Sequence, residues 1–121
     1  MPTLVSALLS IAISVSAQFC LKTGMSSPGV KEAMAQAPSL SMVLGVLTNR
    51  YVLGGFVLYG LGSMIWLTVL AKWDVSKSYP MVGLGFILTL VVGHFMGEQV
   101  TPTRIAGALL ICSGVFLIGR S

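Results

Sequence analysis

Charge is what this sequence has least of: three acidic and seven basic residues stand among 121, or 8% of the chain, against about a quarter in soluble domains. A single small domain in water cannot hide a chain that is 55% hydrophobic, so a soluble protein is excluded. No aspartate or glutamate falls in the middle of any long apolar stretch, and proton-coupled export normally needs such a titrating group. No nucleophile, base and orienting group come together, so the chain is not expected to be an enzyme. Cysteine is scarce too. Cys20 and Cys112 lie far apart with no CxxC spacing and a single histidine in the chain, so neither a metal site nor a cofactor is expected. Both read as small buried hydrophobes. Basic residues are isolated and never interleave with aromatics in a run, which sets nucleic acid aside as a partner.

What is present is length without charge. Four stretches, at about 2–22, 52–71, 78–97 and 104–120, are each of the order needed to cross roughly 30 Å of hydrocarbon at about 1.5 Å per residue. The first of them could pass for a secretory signal, since Ser14-Val15-Ser16-Ala17 follows an apolar run. It lacks a basic leader region, and it is read as the first span. The third starts at SYPM, with Pro80 placed in its first turn, where a missing donor costs little. The fourth is short, so Arg104 and Arg120 must snorkel. One four-helix transmembrane domain therefore fills residues 1–121. Between spans one and two, Leu40, Val43, Leu44 and Leu47 recur at i, i+3, i+4 and i+7. They mark a short interfacial amphipathic helix at about 39–48, unless that segment merely extends the second span past Arg50.

With both termini on the cytoplasmic side, Lys72, Lys77 and Arg120 lie inside and Lys22, Lys31, Arg50 and Arg104 outside. A difference of one basic residue does not fix orientation. Either a partner fixes it, or both orientations occur.

Several positions are candidates for function. Ser6, Ser10, Ser14, Gln18 and Lys22 follow at intervals of four and wind along one side of the first helix, a stripe that should face other helices or a wet cavity. Ser6 and Ser10 read as packing glue; the amide of Gln18 demands several partners and points towards substrate contact. Lys22 is either a snorkelling anchor or a phosphate contact at a cavity mouth. Tyr59, Trp66 and Tyr79 carry polar handles, with Trp66 well inside its span, where a cavity wall and core packing are both open to it. Trp73 reads as an interfacial belt residue. His94 reads as an interhelical hydrogen-bond donor, and Asp74 and Glu98 as helix-end or turn residues. Gly93 and Gly97 form a small-xxx-small pair, and Gly107 and Gly114 are further candidates for close packing in a dimer.

Four spans, this glycine pattern and GALLICSGVFLI (Gly107 to Ile118) together resemble the small multidrug resistance family of the drug and metabolite transporter superfamily. The resemblance implies pairs of four-helix subunits, often antiparallel. Within the family, LLSIAISVSAQFCLK (Leu8 to Lys22), SYPM (Ser78 to Met81) and Gly97-Glu98 followed by Pro102 are similar to the small subunits of the undecaprenyl-phosphate aminoarabinose flippase. That branch implies motif roles for Gln18, Lys22, Tyr79, Pro80 and Glu98. Where the family's drug exporters carry a first-helix glutamate, this chain has Ser14, which argues against proton-driven export. The long Thr23 to Arg50 connection departs from the lipid branch.

The expectation is thus an all-α, four-span flippase subunit that moves a polyprenyl-phosphate-linked amino sugar across a bacterial cytoplasmic membrane. It would act as a homodimer or with a related four-helix subunit, with Ser14, Gln18, Lys22, Tyr59, Trp66, Tyr79 and Glu98 as candidate substrate contacts. The rivals are an exporter of cationic amphiphiles and a non-transporting scaffold subunit.

Overall fold

The computed structural model describes residues 2–121 and is built of helices alone among them. Four helical segments are long and apolar enough to cross a membrane: α1 (Thr3–Met25), α4 (Arg50–Leu70), a composite third span over Val75–Phe95 and α7 (Pro102–Arg120). The third span consists of α5 (Val75–Met81), a 3-10 turn (Val82–Leu84) and α6 (Gly85–Phe95). Two short helices, α2 (Pro28–Ala35) and α3 (Leu40–Leu47), join α1 to α4.

Asn49 keeps α3 and α4 separate. Its backbone is extended, and its side-chain oxygen accepts hydrogen bonds from the amides of Tyr51 (2.9 Å) and Val52 (3.2 Å), satisfying the first turn of α4. Its side-chain nitrogen donates to Ser27 Oγ at 3.1 Å, pinning that turn to the one that ends α1. The alternative in which residues 39–48 extend the second span is therefore excluded. Helix α3 starts at the Ser39 cap, buries none of its residues and leaves Leu40, Val43, Leu44 and Leu47 exposed, as an interfacial helix should. Helix α2 was not evident in the sequence, because its eight residues carry Pro28, Gly29 and two charges; Pro28 sits harmlessly at its start and Val30 is buried.

The α1–α4 pair is packed almost backbone to backbone. A Cβ on Gly55 would lie 2.6 Å from Leu21 Cγ and 3.2 Å from the Ala17 carbonyl oxygen, and one on Gly24 would lie 2.9 Å from the Val52 amide nitrogen. Between these helices Ser10 donates to the Gly62 carbonyl at 2.7 Å. Small residues and hydroxyls do here what apolar burial does in water. Ile11, Val15, Met81 and Val115 form the buried cluster where spans one, three and four meet.

The third span begins earlier than the sequence suggests, at Val75, because the polar stretch after Asp74 winds into helix. Pro80 therefore sits inside α5, not in its first turn. Its missing N–H leaves the Ser76 carbonyl without the usual intrahelical donor, and the 3-10 turn follows two residues later. Glycines at this irregularity let both neighbours approach: a Cβ on Gly83 would meet Ile111 of α7 at 2.7 Å, and one on Gly85 would meet Ile11 of α1 at 3.1 Å.

His94 makes no interhelical hydrogen bond, contrary to expectation. It lies on an exposed face of α6 with its ring edge-on to Phe95, 5.8 Å between centroids. At the opposite end of the bundle, Lys77 places its ammonium 4.5 Å from the centre of the half-buried Trp73 ring, an arrangement suited to an interfacial anchor. Cys20 and Cys112 are free thiols, each half-buried.

Candidate functional site

From Ser10 onward the polar stripe of α1 faces a cavity of about 620 Å³ walled by α1, α4 and the third span, while Ser6 is buried outside it. Its floor on α1 runs from Ser10 to Lys22, roughly 18 Å at about 1.5 Å per residue. Tyr59, Ser63 and Trp66 line it from α4, and Val82, Gly85, Phe86 and Thr89 from the third span. Helix α7 contributes no lining residue. At the end shared by the C-terminus of α1 and the α6–α7 connection, the lining includes Lys22 and Glu98.

The hydroxyls of the wall are largely engaged inside the protein. Ser10 donates to the Gly62 carbonyl, Ser14 to the Ser10 carbonyl at 2.9 Å and Thr89 to the Gly85 carbonyl at 2.7 Å. Gln18 donates from its Nε2 to the Tyr59 hydroxyl, which bridges α1 and α4 across the cavity. That leaves the second Gln18 N–H, its carbonyl, the Tyr59 hydroxyl proton, Ser63, the Trp66 indole N–H, Lys22 and Glu98 for a ligand. Lys22, Glu98 and the Gln18–Tyr59 pair gather towards one end of the cavity, Ser63 and Trp66 lie towards the other, beyond the level at which Gly62 meets Ser10, and Ile11, Val15, Phe19, Val82 and Phe86 supply apolar wall. A cavity of this size, mostly apolar with a few convergent polar groups, suits an organic ligand rather than a bare ion.

Of the seven candidate contacts, Ser14, Gln18, Lys22, Tyr59, Trp66 and Glu98 are brought together here, and Tyr79 is not. Tyr79 is 69% exposed on α5, outside the cavity. The cavity adds residues that the sequence did not single out. Ser63 could have been found, since it lies four residues after Tyr59 and three before Trp66, on the same helical face. Val82, Gly85, Phe86 and Thr89 follow the same periodicity on the third span, where an unbroken apolar run conceals it. Of the glycines proposed for packing, Gly93 is buried and faces its own chain: a Cβ there would lie 3.4 Å from Glu98 Oε1. Gly97 ends the third span with φ +87°, a left-handed conformation that favours glycine. Gly107 and Gly114 have no neighbour in the chain within 4 Å of a would-be Cβ.

Comparison with known proteins gives the same direction as the residues. A probable 4-amino-4-deoxy-L-arabinose-phosphoundecaprenol flippase subunit ArnE of Pseudomonas savastanoi is 40% identical over 79 residues, covering 64% of this chain and 69% of the relative. Subunits of the same name from Pseudomonas aeruginosa and Pseudomonas paraeruginosa are 43% and 44% identical over 63 and 62 residues. The chain spans 55% and 54% of the length of those two. No family model and no solved structure matches the chain. These relatives are named as flippase subunits, transporters rather than enzymes, and with four helices of membrane-spanning length this multi-pass membrane protein belongs to the family of 4-amino-4-deoxy-L-arabinose-phosphoundecaprenol flippase subunits.

Proposed function

We propose that the chain is a subunit of a flippase that carries a polyprenyl-phosphate-linked amino sugar across the bacterial cytoplasmic membrane, paired with a second copy or a related four-helix subunit. The observation that carries this reading is the cavity itself, which joins a cation, a bridged amide, four aromatic rings, those of Tyr59 and Trp66 with polar tips, and a carboxylate while only three of the four spans wall it. A headgroup enters from the side, and the polyprenyl tail stays in hydrocarbon. Lys22, a compact charge in the last turn of α1, takes the phosphate. The free amide groups of Gln18 and the Ser63 hydroxyl meet sugar hydroxyls, and the rings of Tyr59 and Trp66 offer them apolar faces. Rocking of the helices about the occupied cavity then exposes it to the other side. No carboxylate lies at mid-depth to couple the step to protons, so direction comes from the lipid gradient or from the charge on the sugar.

The test is translocation in proteoliposomes, read as the appearance of the sugar amine to a membrane-impermeant amine reagent. The wild-type chain, alone or with a related second subunit, is expected to move the lipid faster than protein-free vesicles do. Lys22→Gln is expected to slow it about tenfold, the loss of one charge-assisted contact. Vesicles in which the wild-type chain, alone and paired, gives only the protein-free rate would sink the reading.

A further inference from the structure

The α6–α7 connection is built to return a carboxylate to the cavity. Gly97 takes φ +87°, which reverses the chain, and the Glu98 amide then donates to the Gly93 carbonyl at 2.9 Å. The absence of a side chain on Gly93 leaves the room that the Glu98 side chain occupies, with Oε1 3.4 Å from where a Cβ would stand. Beyond it, Thr101 Oγ1 accepts from the Arg104 amide at 3.2 Å to cap α7, and the Arg104 guanidinium donates to the Gln99 carbonyl at 2.6 Å. The loop is thus tied at both ends. Arg104 is drawn to a backbone oxygen, and among the described residues no ion pair within 4.0 Å neutralises Glu98 or Lys22. Glu98 is exposed in the hairpin at the cavity's end rather than at mid-depth, so its charge is sustained there and its carboxylate is open to a ligand.

Resting on the flippase reading above, we propose that Glu98 is the specificity residue for the substrate's ammonium group, so that the cavity selects a zwitterionic headgroup: phosphate at Lys22, amine at Glu98. Both charges line one cavity at the same end of the bundle, and they are opposite in sign, as a headgroup carrying a phosphate and a protonated amine requires. Tyr59 and Trp66, further along the same wall, offer ring faces and single polar tips and bear no formal charge, so charge discrimination falls to the two ionic residues. A neutral sugar would leave Glu98 unpaired beside the bound lipid, and that penalty supplies rejection.

The experiment compares two lipids in phosphatidylethanolamine–phosphatidylglycerol proteoliposomes. One is undecaprenyl-phosphate-linked 4-amino-4-deoxyarabinose; the other is its N-formyl derivative, whose nitrogen is neutral. Translocation is followed for both, with the sugar radiolabelled, as the fraction oxidised by periodate added outside, which attacks the 2,3-diol that the two sugars share. Wild type is expected to prefer the amine by about tenfold, the scale of one charge-assisted hydrogen bond. Glu98→Gln, which keeps the side-chain shape and the backbone bond to Gly93, should bring the ratio to within about twofold, chiefly by slowing the amine form. Glu98→Asp should restore part of the preference, and Lys22→Gln should slow both lipids and keep the ratio. Equal slowing of both lipids by Glu98→Gln would show a role in the hairpin alone and overturn the assignment. Wild-type movement of both lipids at one rate would overturn it while leaving the flippase reading intact, whereas movement of neither would remove both.

Discussion

Gln18 shows how a single side chain can serve structure and ligand together. A primary amide has two donors and an acceptor with room for two bonds, and only one N–H is taken, by Tyr59. Gln18→Ala removes the helix bridge and the free groups; Tyr59→Phe removes the bridge and leaves the amide. We predict that Gln18→Ala slows translocation about fivefold to tenfold, equivalent to roughly 1–1.5 kcal/mol of hydrogen bonding, while Tyr59→Phe slows it by less than about threefold. Ser14→Ala should do less than either, since the Ser14 hydroxyl already donates to its own helix. Rates normalised to folded protein in vesicles decide it, and equal losses for Gln18→Ala and Tyr59→Phe would mean that the amide acts only as a bridge. The need of Gln18 for partners was legible in the sequence. Its partner was not, because Tyr59 lies 41 residues away and only the α1–α4 register brings it near.

At the scale of elements, adjacent glycines of α4 play unlike parts. Gly55 faces α1 with Leu21 and the Ala17 carbonyl in contact range, and Gly54 has nothing within 4 Å. Gly55→Ala is expected to lower stability by about 1–3 kcal/mol, because the carbonyl is backbone and cannot swing aside. Gly54→Ala should change it by less than about 0.5 kcal/mol, within the range of substitutions that touch nothing. Unfolding in mixed micelles measures both, and similar values for the two would contradict the close approach of α1 and α4. The sequence showed that α4 is glycine-rich but not which glycine carries the contact, since helical periodicity gives faces only once the neighbouring helix is placed. The same holds for the third span. Its apolar run was plain, while the turn after Pro80 and the gripping of Gly83 and Gly85 by α7 and α1 depend on where those helices stand.

For the whole molecule, burial falls steadily along the chain. The most apolar window of α1 is 33% buried and that of α7 only 11%, so α7 is the span that offers most of its surface to lipid or to another subunit. Gly107 and Gly114 stand seven residues apart on it with open space before them, which permits close approach of a partner helix. We predict a dimer through this face: Gly114→Leu should lower the dimer fraction in detergent by at least about threefold, measured by light scattering or cross-linking, while the helix content is unchanged. A dimer fraction equal to wild type would remove the α7 face as the interface. Gly93, facing Glu98 of its own chain, should have little influence on association and more on the hairpin.

The sequence alone determined that this is a four-helix membrane protein with an interfacial segment, because burying uncharged runs of about twenty residues in hydrocarbon is a local property of each run. It also marked the serine and glutamine stripe of α1, since a period of four places those residues on one face whatever surrounds them. Only the tertiary structure decided that this face meets Tyr59, Ser63 and Trp66 of α4 and Glu98 of the hairpin in one cavity, and that Tyr79 stays outside it. The physical reason is that between membrane helices there is little hydrophobic driving force to read from composition. Which faces meet is set by the fit of small residues against backbone at Gly24, Gly55 and Gly62 and against branched side chains at Gly83 and Gly85, and that fit exists only when both helices are in place.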